Sequence, residues 1–208
     1  MKYLLLSLLI ICNFSYADYC SESYNKYGSD WDKNNLLHHC KQASNGDPES
    51  QFALASWFKT EGKNPTETFR WLIASSNSGC GKAKLGIGFL LFKGDGVGKD
   101  LGEAYKHFVI ASSSGIPLAQ YFQGYMLYYG YGVNKYVDKG MELIKSSAAQ
   151  GTSAAYSHLG YIYEKGDGVE RNPGISRGYY ILASVAEALT LIRGNKFDCD
   201  IYKVEMTQ

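Results

Sequence analysis

An all-α solenoid of stacked helical hairpins is predicted from three observations. The glycine turns Lys93-Gly94-Asp95-Gly96-Val97, Tyr129-Gly130-Tyr131-Gly132-Val133 and Lys165-Gly166-Asp167-Gly168-Val169 stand 36 residues apart. Gly79, Gly115 and Gly151 keep the same interval, and small residues recur before each turn as Ala83/Gly88, Ala119/Gly124 and Ala155/Gly160. A unit of this length cannot bury its apolar face alone, so successive units stack into a continuous core.

The chain opens on a stretch with secretory character. Lys2 precedes an apolar run from Tyr3 to Phe14, and Ser15-Tyr16-Ala17 gives a small-x-small cleavage pattern, so residues 1–17 read as a signal peptide. The run is shorter than the roughly 20 residues a membrane span needs, and Ile11 occupies the place before Cys12 where a lipoprotein signal wants Gly or Ala. An exported, soluble mature protein is expected, periplasmic or secreted. The full sequence has 21 basic and 20 acidic residues, and without Lys2 the two counts are equal, which removes the long-range attraction that nucleic acid or anionic lipid would require.

Residues 18–45 read as an N-terminal helical cap, with Leu36-Leu37-His38-His39-Cys40 on its last helix. Cys20, Cys40, Cys80 and Cys199 lie beyond the leader, an even count that in an exported protein reads as disulfides. Cys20 and Cys40 share the cap and form the expected bond. Cys80 opens the unit that begins at 79 and Cys199 lies in the tail beyond the last unit, and only a back-folded tail would bring them within bonding distance.

The repeats span 46–193 as units 46–78, 79–114, 115–150 and 151–193, with 194–208 as a C-terminal tail. Helices are expected at 47–60 and 66–77, 82–93 and 101–113, 118–129 and 137–149, and 154–165 and 174–192. The small residues let the helices of a hairpin approach closely, while Phe108 and its neighbours fill the gap. The glycines after each second helix fit C-terminal caps, where a left-handed backbone suits Gly.

Ala155, Leu159, Gly160, Tyr163, Gly166, Gly168 and Val169 closely match the pattern Ala-x3-Leu-Gly-x2-Tyr-x2-Gly-x-Gly-Val. In this the chain resembles the Sel1-like repeat family, relatives of the tetratricopeptide repeats, over about residues 46–186. The resemblance implies a right-handed α/α superhelix and a non-catalytic adaptor or scaffold that binds another protein through its concave surface. It also leaves two narrower roles open: an immunity protein that neutralises a periplasmic secretion-system toxin such as a type VI lipase effector, or a β-lactam-binding enzyme. The regular cysteine pair of each repeat, which marks the relatives linked to β-lactams, is missing here. The sequence departs from the family pattern at Gln123, Gly140 and Ser176, and in the length of its last helix.

Catalytic and metal readings find little support in the residues. The segment from Lys93 to Lys99 lacks the helix-opening Gly-Lys-Ser/Thr of a phosphate loop and recurs as a structural turn. Ser23 to Lys26 and Ser56 to Lys59 match one box of penicillin-recognising enzymes without its partner motifs. His38, His39, Cys40 and Cys20 could supply zinc ligands, but adjacent histidines on a helix diverge by about 100° and exported cysteines favour disulfides. No catalytic residue, cofactor or metal is assigned. His107 takes the family's aromatic place on a second helix and is expected to pack, whereas His158 is expected at the surface.

On the concave face that the resemblance implies, one position along the stack reads Ser56, Phe89, Tyr125 and Tyr161, joined by Phe122, Tyr128, Tyr129 and His158. Phe89, Phe122, Tyr125, Tyr128, Tyr129, His158 and Tyr161 are therefore the expected protein-binding residues; the alternative places some of these rings in the core. On the last helix, Ile181, Leu182, Val185, Leu189 and Ile192 are apolar on more than one side. Because a terminal repeat needs a polar outer face, residues 195–208 are expected to cover it, with self-association as the alternative.

Overall fold

The computed structural model describes residues 22, 23, 25, 33–61 and 63–193, with side chains as far as Leu189. From Lys33 onward the described residues form helices and no strand: α1 (Lys33–Ser44), α2 (Pro48–Thr60), α3 (Pro65–Asn77), α4 (Gly81–Lys93), α5 (Leu101–Ser113), α6 (Pro117–Tyr129), α7 (Val137–Ala149), α8 (Ser153–Lys165) and α9 (Pro173–Arg193). α2/α3, α4/α5, α6/α7 and α8/α9 are consecutive hairpins, each packed on the next. The eight repeat helices start and stop within one residue of their expected ends.

Local chemistry sets these boundaries. Asn64 and Asp100 accept from the backbone N–H of Glu67 (3.2 Å) and Glu103 (2.9 Å), capping α3 and α5. Asn172 does the same for Ile175 at the start of α9, each bond satisfying a donor that has no intrahelical partner. The first helices stop at Gly94, Gly130 and Gly166, all left-handed with φ of 77°, 78° and 73°.

The second glycine of each turn does a different job: it lets one repeat touch the backbone of the one before. A Cβ on Gly96 would stand 2.4 Å from the Pro65 carbonyl carbon, and one on Gly132 2.5 Å from that of Leu101. Both targets begin the second helix of the preceding hairpin. The glycine turn is therefore a joint between repeats as well as a reversal within one.

Small residues also set the spacing inside each hairpin. A Cβ on Gly88 would meet the Phe108 ring at 2.7 Å, and one on Gly160 the Tyr180 ring at 2.9 Å. In the third hairpin Gly124 and Gly140 face each other, and a Cβ on Gly140 would lie 2.6 Å from the Tyr128 backbone nitrogen. This close approach accounts for the departure at Gly140, because even alanine is too large where α6 and α7 meet. Leu54, Trp57, Phe58, Ile87, Phe108, Met126, Ile144, Leu159 and Ile162 fill the core at 2% exposure or less. Among the described residues, no helix is long and apolar enough to cross a membrane.

Cys40 and Cys80 are buried, and both are disulfide-bonded. Cys20, the expected partner of Cys40, lies outside the described residues, as does the tail 194–208.

Candidate protein-binding surface

The helical period carries aromatic residues of α4, α6 and α8 into one continuous strip. Phe89 packs edge-on against Phe122 (4.4 Å between centroids), which contacts Tyr121 (4.9 Å). Tyr121 leads to Tyr125 (6.0 Å), and Tyr125 to Tyr129 (5.0 Å), Tyr131 (5.6 Å) and His158 (5.2 Å). His158 then lies beside Tyr161 (6.5 Å). Three successive hairpins thus share one ring system.

Exposure sorts the rings into floor and surface. Tyr128 (1%) and His158 (8%) are buried, which corrects the expectation that they face a partner. Tyr128 points between repeats and donates its hydroxyl to the Asp167 carbonyl. His158 is enclosed by Tyr121, Tyr125, Tyr128, Tyr129 and Tyr161. Phe122 stacks on Phe108 at 5.1 Å and joins the core from one side. Phe89, Tyr125 and Tyr129 are half-buried. Tyr161 is open, at 46%.

Tyr131 completes the surface and was absent from the sequence expectation. It occupies the middle of its Gly-x-Gly turn, where the neighbouring turns carry Asp95 and Asp167. The ring is 40% exposed and packs on Tyr129 (5.7 Å) and Phe92 (6.4 Å). That aromatic-for-aspartate exchange between repeats was the signal available in the sequence.

A polar chain runs beneath these rings. Tyr129 Oη lies 2.9 Å from His158 Nε2 and donates to Asp167 Oδ2 at 3.4 Å, while His158 Nδ1 has no partner. The consistent assignment puts the imidazole proton on Nε2, donating to Tyr129. Burial pushes the His158 pKa down to about 4, partly offset by the Asp167 carboxylate. Burial also raises the Tyr121 and Tyr129 phenols above their ordinary value. All three groups are therefore neutral near pH 7. Lys93 Nζ and Lys165 Nζ lie 5.9 and 6.0 Å from the Phe89 and Tyr161 ring centroids, placing a cation at each end of the strip.

His107 is half-buried on α5, and its pKa is lowered by burial and by Lys84. His38 and His39 lie edge to face on α1, with His39 Nδ1 3.1 Å from Ser50 Oγ. Among the described residues no group of three or more His, Cys, Asp or Glu is placed to hold a metal ion.

The Sel1 repeat family model matches residues 48–80, 81–116, 117–152 and 153–184, one match for each hairpin. The chain belongs to the Sel1 repeat family. Sel1 repeats mediate protein–protein interaction. Among solved structures, the fold is similar to a Sel1 repeat protein from Oxalobacter formigenes (TM-score 0.64, 25% identity, covering 82% of this chain and 69% of that one). It is also similar to c5321, a protective antigen of uropathogenic Escherichia coli with the same repeat fold (TM-score 0.63, 24% identity, 83% of this chain). This Sel1 chain spans 38% of the length of c5321. No curated protein sequence matches it.

Proposed function

We propose that this Sel1 repeat protein is a non-catalytic scaffold that docks a protein partner along the aromatic strip of its first helices, on the concave side of the stack. The observation that carries this reading is the division of the strip into a buried floor and an open surface, with Tyr131 at 40% and Tyr161 at 46% exposure above Tyr128 and His158. Large rings held rigidly at a surface give contact area at low entropic cost, and truncating central ones typically costs about 2 kcal/mol or more of binding. The disulfide bonding of Cys40 and Cys80 supports export, because such bonds persist in oxidising compartments.

The test is a double variant, Tyr131→Ala with Tyr161→Ala, compared with the wild type for partners cross-linked in the native compartment. Both side chains are open, so the melting transition is expected to shift by only a few degrees. Affinity for the captured partner is expected to fall about 30-fold, the equivalent of roughly 2 kcal/mol. Unchanged affinity in a folded double variant places the binding surface elsewhere.

A further inference from the structure

The last helix breaks a rule that the other second helices keep. Each has an outward column of four positions, filled by Glu67, Arg70, Ala74 and Asn77 in α3 and by Glu103, Lys106, Ile110 and Ser113 in α5. In α7 the column is Lys139, Glu142, Ser146 and Ala149. In α3 and α5 the first two places pair as ions, Arg70 with Glu67 at 3.4 Å and Lys106 with Glu103 at 2.5 Å. In α9 the same column reads Ile175, Gly178, Leu182 and Val185, and Leu189 continues it one turn on. The four large residues are 43%, 45%, 51% and 47% exposed, with Ile181 beside them at 58%.

This seam is not the stacking face left open for want of a fifth repeat. Met141 and Ala148 of α7 share a core cluster with Ala155, Leu159 and Ile162 of α8. The equivalent places in α9 are Arg177 and Ser184, both exposed and polar. α9 holds to its own hairpin through Ser176, Ala183 and Ala186, each at 8% exposure or less. The apolar column is a separate surface.

Its spacing is that of a helix-pairing seam. Ile175, Gly178, Leu182, Val185 and Leu189 are separated by 3, 4, 3 and 4 residues, and Ile192 extends the series in sequence. α9 is also 21 residues long where the other repeat helices have 13, so it projects about 12 Å further at 1.5 Å per residue. Arg177 and Glu187 fall about 110° and 170° round the helix from the seam, leaving Ile181 and Ala188 on its open flank. Among the described residues no charge lies within the seam itself; Arg177, four residues before Ile181, borders that flank.

We propose that this seam pairs with the α9 of a second copy of the chain, antiparallel and across a two-fold axis between Leu182 and Val185. That register is self-complementary: Leu182 meets Val185 of the second copy, and Leu189 enters the gap left by Gly178. A two-fold contact requires one surface to match itself, and the pairing of the large Leu189 side chain with the side-chain-free Gly178 supplies the match. Side chains about half exposed leave roughly 400–500 Å² per copy, near the largest apolar patches of monomers and below the ~800 Å² per partner of stable interfaces. The dimer is therefore concentration-dependent.

Sedimentation equilibrium on protein exported from its full-length gene, from about 1 μM to 500 μM, tests this. The expected mass rises from monomer to dimer across that range. Leu182→Glu, at an exposed position, should keep the helical signal and remain monomeric throughout. Gly178→Leu is the sharper probe: it adds apolar surface and helix propensity, yet fills the gap that Leu189 of the second copy enters, so the dimerisation constant should weaken at least tenfold. Stronger association of Gly178→Leu would overturn the register and reduce the seam to nonspecific adhesion. A wild type that stays monomeric at 500 μM overturns the proposal. In that case, dimerisation on truncation after Gly194 would identify residues 195–208 as the cover, and binding to phosphatidylglycerol vesicles would identify a lipid surface.

Discussion

Gly132→Ala is expected to destabilise the protein by about 3 kcal/mol, whereas Gly151→Ala should cost only about 1 kcal/mol. Both glycines are left-handed, with φ of 69° and 84°, so the backbone strain of a Cβ, about 1–2 kcal/mol, is common to both. The surroundings differ. A Cβ at 151 meets nothing within 4 Å, but at 132 it stands 2.5 Å from the Leu101 carbonyl carbon and 2.6 Å from its oxygen. Those atoms belong to the first turn of α5 and cannot swing aside as a side-chain tip could, so the two hairpins must separate. Overpacking of this kind adds about 1–3 kcal/mol. Urea unfolding of the two variants decides the matter, and equal losses would show that the turn is only a reversal within its hairpin. Because Gly132 joins the second and third hairpins, its variant should also unfold less cooperatively, with a smaller dependence on urea, as one-dimensional stacks do when an interface weakens.

The same contrast explains what the sequence discloses. Glycines at 94, 130 and 166, caps at Asn64, Asp100 and Asn172, and prolines at helix starts are local signals, and local chemistry stops each helix where it predicts. Faces are another matter. Tyr128 and Tyr129 are adjacent, so their side chains diverge by about 100°, and a single step decides that Tyr128 is buried while Tyr129 reaches the strip. His158 and Tyr161 stand one turn apart, yet the stacking of α8 against α6 encloses one and exposes the other. No periodicity within one helix carries that information. Tyr131 lies in a turn, where the flanking repeats place aspartate, so helix register alone does not point to it. The apolar residues of α9 were visible, but placing them on the outward face required comparison with Glu103, Lys106, Lys139 and Glu142 in the earlier second helices.

Acidification from pH 7 to 4.5 is expected to cost the wild type more stability than a His158→Gln variant, by on the order of 2 kcal/mol. In the unfolded chain His158 takes a proton near pH 6.5; in the folded chain burial holds the value down to about 4. Between those values the unfolded state carries the proton and the folded state does not. The stabilisation is therefore complete above pH 6.5 and is lost as pH falls towards 4. The structural reason is the unpartnered Nδ1, which would have to carry a second N–H among five tyrosine rings with no acceptor. The magnitude is set below the full linkage value because the strip is partly solvated. Burial lowers the pKa of His39 and His107 in the same direction, but their contributions and those of the carboxylates are common to both proteins and cancel in the comparison. Glutamine is chosen because its amide can still donate to Tyr129 Oη while having nothing to titrate. Parallel acid losses in the two proteins would show that the imidazole is not held neutral by its site. A protonated ring would also disturb Tyr129, on which Tyr131 packs, so partner affinity should weaken over the same pH interval in the wild type and not in the variant.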